Sequence, residues 1–157
     1  MSKTIDFPTP ELAVTVISIE DTNKILTIFN PRWGSFTLPM TKRKKWIDPE
    51  VPAGNRHEDL VLSATRAAAE ALGKTLPANS PPQLLLKEID YRQSDSEGVW
   101  KVYLLNIFGL RVPSGAVLTP DTTVEWLSPH DFAAREPISP TARYVIACLG
   151  REGKLPQ

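Results

Sequence analysis

Three residues in one short stretch have types and spacing that could do chemistry. They are Glu58, Arg66 and Glu70, within residues 54–73, GNRHEDLVLSATRAAAEALG. Arg66 and Glu70 are four apart, a spacing at which opposite charges pair on a helix surface for about 0.3–0.5 kcal/mol. Glu58 stands off from them. On one straight helix Glu58 and Glu70 would lie about 18 Å apart at ~1.5 Å per residue, so they can join only if Glu58 sits on a loop folded back beside the helix. Upstream, Lys42, Arg43, Lys44 and Lys45 run directly into Trp46. Four consecutive cations repel one another, and a nearby anion would help order them. The run reads either as a solvated basic loop or as a phosphate-facing patch, with Lys42 and Arg43 as the candidate contacts. Trp33 and Trp46 are candidate stacking platforms for a base, and equally candidates for core or edge packing.

The elements that must position these residues follow from the periodicities. In 54–73, Asn55 can cap a helix, with Glu58 at capping-box spacing. Val61, Ala64, Ala68 and Leu72 form an apolar stripe, Ser63, Arg66 and Glu70 lie on the other side, and Gly73 can close the C-terminus. Ala13–Glu20 and Ile25–Phe29 read as a strand hairpin across the turn residues 21–24, followed by a short extended piece at Phe36–Leu38. Residues 40–57 read as a long connection. Gln83–Gln93 and Val99–Phe108 read as a second hairpin, and Thr122–Leu127 as a short strand. Ser128-Pro129 and Ser139-Pro140 are helix-start signals, the second helix running to about Leu149 and ended by Gly150. Residues 1–11 are a loose lead-in, and 1–157 reads as one domain without internal repeat. The order predicts a mixed sheet covered by helices on two faces.

Composition removes several classes. Eighteen basic and eighteen acidic residues give zero formal net charge, so no global field points to nucleic acid or to a membrane surface. Fifteen prolines fall mostly between apolar runs and suggest rigid loops rather than disorder. Cys148 is the one cysteine, which excludes an internal disulfide and a cysteine-rich zinc site, and it reads as a small core residue. His57 and His130 have no metal-ligand partner nearby in sequence. The N-terminus lacks the apolar run of a signal peptide and no stretch is long enough to span a bilayer, so a cytoplasmic protein is expected.

Glu58, Arg66, Glu70 and Gly73 resemble part of the Nudix box, which reads Gly, five residues, Glu, seven residues, Arg-Glu, a bulky apolar residue, any residue, Glu-Glu, any residue, Gly and a bulky apolar residue. Laid on this chain it runs from Pro52 to Lys74. Pro52 replaces the opening Gly, Ala67 and Ala71 replace two Glu, Ala68 is a small apolar residue, and Lys74 replaces the last apolar one. Leu38-Pro39 precedes the box as a Leu-Pro pair commonly does in that family, here followed by Met40-Thr41 rather than Gly-Gly. Glu125-Trp126-Leu127-Ser128 resembles the family's late strand running into a short helix. The resemblance covers about Ala13 to Leu149 and implies a Nudix-like α/β/α sandwich with a mixed β-sheet, an α/β (α+β) fold.

It also implies a chemistry. Nudix enzymes typically cleave a nucleoside diphosphate linked to another group by metal-assisted attack of water. Carboxylates serve because Mg²⁺ (or Mn²⁺) takes oxygen ligands and offsets charge on phosphate oxygens. Of the helix carboxylates that share metals in the family, Glu70 alone remains here, with Glu58 as its candidate partner in metal binding and Arg66 as their support. A protein that recognises a nucleoside diphosphate derivative with weak or lost hydrolysis is therefore expected. Restoring Glu at 67 and 71 is then expected to recover metal affinity. An active pyrophosphohydrolase with carboxylates relocated to Asp48, Glu50, Asp59 or Glu125, and a non-catalytic protein-interaction module, stay open. So do homodimerisation and an unrelated α/β domain.

Overall fold

The computed structural model describes residues 10–47, 55–73, 81–93, 100–115, 120 and 122–156. Its spine is β1 (Glu11–Ile19), an apolar strand buried over nearly its whole length. β1 pairs antiparallel with β2 (Ile25–Asn30), and Asp21 takes a left-handed φ of 62° in the turn between them. β3 (Ser35–Thr37) returns along β2. On its other side β1 runs parallel to β8 (Trp100–Val112), which forms a long antiparallel hairpin with the edge strand β7 (Gln83–Gln93). β9 (Val124–Leu127) pairs with β2, completing a seven-stranded mixed sheet.

The connection 40–57 is more structured than its sequence suggests. Met40–Lys42 form β4 against Leu12–Val14 of β1, and Lys45–Ile47 (β5) pair with Asn55–His57 (β6). These are short segments whose order comes from partners distant in sequence, so local periodicity does not reveal them.

Alternation along β1 assigns the layers, because successive side chains point to opposite faces. Leu12, Val14 and Val16 pack with Phe132 of the short helix α2 (Asp131–Ala134) and with Ala142, Val145, Ile146 and Leu149 of α3 (Pro140–Arg151). Ala13 and Ile17 face the helix α1 (Leu60–Leu72), meeting Ala64, Ala68, Ala71 and Leu72. Thr15 on the same face donates to the Ala64 carbonyl at 2.8 Å. The expected α/β/α arrangement is what the chain adopts. Cys148 is buried, and no helix among the described residues is long and apolar enough to cross a membrane.

Helix ends differ from the sequence reading. α1 starts after Asp59, whose carboxylate accepts from Val61 N at 3.0 Å, while Asn55 lies in β6 and is not the cap. Its buried face is Ser63, Ala64, Ala67, Ala68, Ala71 and Leu72, and Val61 in the first turn is exposed. Gly73 follows the last turn with φ 100°. α2 begins at Asp131 rather than at Pro129, with Ser128 and Asp131 bonded to each other. α3 runs through Gly150 to Arg151, and the left-handed residue is Gly153. Asp59→Ala removes the α1 cap and is expected to cost about 1 kcal/mol, read as a lower urea midpoint with an unchanged m-value.

Candidate functional site

Because Asp59 rather than Asn55 caps α1, Glu58 falls one residue outside the helix, and the short β5–β6 ribbon carries it back along the flank of α1. The backbone of this turn is tied down by Glu58 N donating to Lys44 O at 2.9 Å. Two turns into α1, the Arg66 guanidinium meets the Glu58 carboxylate. Nη2 lies 2.8 Å from Oε1 and Nε 3.4 Å from Oε2. Ser63 Oγ donates to Oε1 at 2.6 Å and the Lys44 amide at 3.3 Å. The Glu58 side chain is 10% exposed and that of Arg66 26%. The Arg66 hydrogen bonds, aided by Ser63 and the Lys44 amide and opposed by burial, hold the Glu58 carboxyl at about 2 against its ordinary 4.5. It is therefore ionised at neutral pH, with Oε1 accepting from Arg66, Ser63 and Lys44.

Arg66 carries the linkage further. Nη1 donates to Thr41 Oγ1 at 2.7 Å and Nη2 to the Lys42 carbonyl at 3.0 Å, which clamps β4 to α1. The i,i+4 contact to Glu70 is longer, 3.9 Å, and the Glu70 side chain is 64% exposed. So Glu58, Arg66 and Glu70 do come together, as the spacing suggested they could if Glu58 folded back, but around the arginine rather than around a gap between carboxylates. Ser63 and Thr41 belong to this cluster and were not singled out by sequence. Ser63, five residues after Glu58 and one turn before Arg66, is buried against Glu58 although its spacing places it on the polar side of the helix.

The basic run divides. Lys42 and Lys44 are exposed next to the cluster through their own backbone groups. Arg43 turns back into the fold, its Nε donating to Glu58 O at 2.6 Å and its Nη1 meeting Glu11 at 3.2 Å. The side chains of Lys45 and Trp46 lie outside the described residues. Trp33 is 46% exposed on the β2–β3 turn, and no hydrogen bond or ion pair links it to Glu58, Arg66 or Glu70. Among the other carboxylates weighed above, Asp59 is the α1 cap. Glu125 on β9 is held by Arg135 Nη2 at 2.8 Å and Nε at 3.0 Å, which draw its pKa down. Asp48 and Glu50 lie outside the described residues.

A divalent ion shared by the helix carboxylates does not fit the described donor set. Among the described residues no group of three or more His, Cys, Asp or Glu side chains could hold a metal ion. Glu58 is engaged by Arg66, Ser63 and the Lys44 amide, three of the four bonds falling on Oε1. Ala67 and Ala71 are 2% and 1% exposed, with Ala71 in an apolar cluster with Ile17, Leu26, Leu72, Leu110 and Val112. Of these helix positions, Glu70 supplies the one exposed carboxylate.

No family model matches the sequence, and no curated protein matches it. Solved structures do. The MutT protein from Methanosarcina mazei Go1 superposes with a TM-score of 0.65 at 18% identity, over 96% of this chain and 99% of that one. The E. coli dihydroneopterin triphosphate pyrophosphohydrolase gives 0.63 at 15%, over 87% and 91%. The NUDIX domain of Shewanella oneidensis NrtR, solved with ADP ribose, gives 0.60 at 16%, over 92% and 88%. With a seven-stranded mixed sheet between α1 and α3 and these superpositions over most of its length, this chain has the Nudix hydrolase fold.

Proposed function

We propose that this protein recognises a nucleoside diphosphate derivative beside α1 and hydrolyses it weakly or not at all. The observation that carries the reading is the state of the box carboxylates. Glu58 is neutralised by Arg66, two positions are buried alanines, and Glu70 belongs to no group of three or more metal-ligating side chains among the described residues. Mg²⁺ bound through a single protein carboxylate depends on the substrate phosphates for its remaining charge. Such an ion is poorly placed to fix an attacking water, and each tenfold loss of rate corresponds to about 1.4 kcal/mol of transition-state stabilisation. Lys42 and Lys44, exposed beside the Arg66 clamp, supply the positive charge for phosphate. Arg43 holds the loop that presents them.

ADP-ribose, the ligand of one structural neighbour, is the first probe. Titration calorimetry should show saturable binding that Mg²⁺ changes little. The double change Lys42→Ser with Lys44→Ser, leaving Arg43 in place, should weaken it about tenfold. Absence of binding across a panel of dinucleoside polyphosphates and nucleoside diphosphate sugars would overturn the recognition. Mg²⁺-dependent turnover at about 1 s⁻¹ or faster would overturn the weak-hydrolysis reading.

A further inference from the structure

The layer opposite α1 holds a cleft of its own. Here the α3 face of the sheet, at the end of β1 away from Glu11 and the Arg66 clamp, opens into a cleft of ≈ 300 Å³. Its floor and walls are Val16, Ser18, Leu85, Gly109 and Leu155, with Arg111 and Lys154 at the rim.

Three local features build it. The β7–β8 register slips between Leu84 and Leu86, so Leu85 is the extra residue of a bulge and packs toward the α3-side core together with Leu86. Gly109 lies under it, where a Cβ would approach Leu85 Cδ1 to 2.9 Å, so the bulged leucine lies close over β8 at a residue without a side chain. Beyond α3, Gly153 turns the chain at φ 68° and Lys154 N donates to Leu149 O at 2.8 Å. That turn brings Leu155 back onto the core and leaves Lys154 exposed beside the opening. The tail therefore forms a fixed wall of the cleft.

The lining mixes apolar side chains with the polar Ser18 and Gln83 and the cationic Arg111 and Lys154, and holds no acidic one. Lys154 has no carboxylate partner among the described residues, and Ser18, 2% exposed, places a hydroxyl in the wall. A few polar groups among apolar walls are the usual pattern of a small-ligand site, and this volume lies at the lower limit of the roughly 300–1,000 Å³ such sites occupy. We infer that this cleft binds a small amphipathic anion, its carboxylate or phosphate head at Lys154 and its apolar body against Val16, Leu85 and Leu155. It is too small for a dinucleotide. It is also separated by the sheet from the α1 site, so the two can be tested independently.

Octanoate is the probe. Titrated into the ¹⁵N-labelled full-length protein, it should shift the amides of Ser18, Gly109, Leu110 and Leu155 saturably, with Kd on the order of 1 mM. Lys154→Glu reverses the charge of an exposed side chain, and should weaken binding about tenfold while leaving the rest of the spectrum in place. Lys154→Met should lie between, and neutral 1-octanol should bind more weakly than octanoate. Shifts centred on Glu58 to Glu70, no saturation by about 10 mM, or equal binding of octanol and octanoate would each overturn the inference.

Discussion

Replacing Glu58 with Gln should destabilise the protein by up to about 3 kcal/mol at neutral pH. A carboxyl held at about 2 instead of 4.5 stabilises the folded state by roughly 1.4 kcal/mol for each unit of that difference. Both partners are well under one-third exposed, so solvent screens the pair weakly. The amide also leaves the Arg66 guanidinium, through which Thr41 and Lys42 are tied to α1, without its main anion. The effect should depend on pH with a definite sign. A carboxyl with a depressed folded-state pKa favours the folded state when ionised. Its contribution is complete above about 4.5, falls as the pH drops toward 2, and is absent below that. Urea unfolding of both proteins should therefore give a wide stability gap at pH 7 that narrows steadily below pH 4.5. A gap that stays constant down to pH 2.5 would show that Glu58 acts by shape rather than by charge.

The double change Ala67→Glu and Ala71→Glu, which from sequence alone looks like restoration of a metal site, is expected instead to destabilise the fold. Ala71 is 1% exposed, on the face of α1 that packs against Ile17 of β1 and Leu110 and Val112 of β8. A carboxylate there must be protonated, displace the helix, or stay charged in an apolar layer, where the penalty is about several kcal/mol per ion. Against total stabilities of about 5–15 kcal/mol, that is enough to leave the variant largely unfolded or molten. Ala71→Glu by itself should carry most of the loss, because Ala67 lies outside that apolar cluster. Circular dichroism melts with and without Mg²⁺ decide the matter. A double variant that melts near the parent temperature and is stabilised by Mg²⁺ would mean that α1 can rotate these positions outward, and that the metal site is recoverable.

The two predictions separate what is local from what is not. Apolar runs and the turn residues beside them were enough to place β1, β2 and both ends of β7, since both are properties of neighbouring residues. The Ser139 cap and Pro140 at the first position likewise start α3 where the sequence puts it. Helices on two faces followed from element order. The spacing of Glu58, Arg66 and Glu70 correctly made their meeting conditional on a loop folded back beside α1. What decided that condition was the pairing of β5 with β6 and of β4 with β1, contacts between segments too short to have a period of their own. The same non-local packing chose Asp59 over Asn55 as the cap and buried Ser63 against Glu58. It also turned Arg43 inward and put Ala71 in the core. A helical repeat determines which residues share a face, but only the neighbouring layer determines whether that face is wet, and so whether a carboxylate on it can hold an ion or must be held by one.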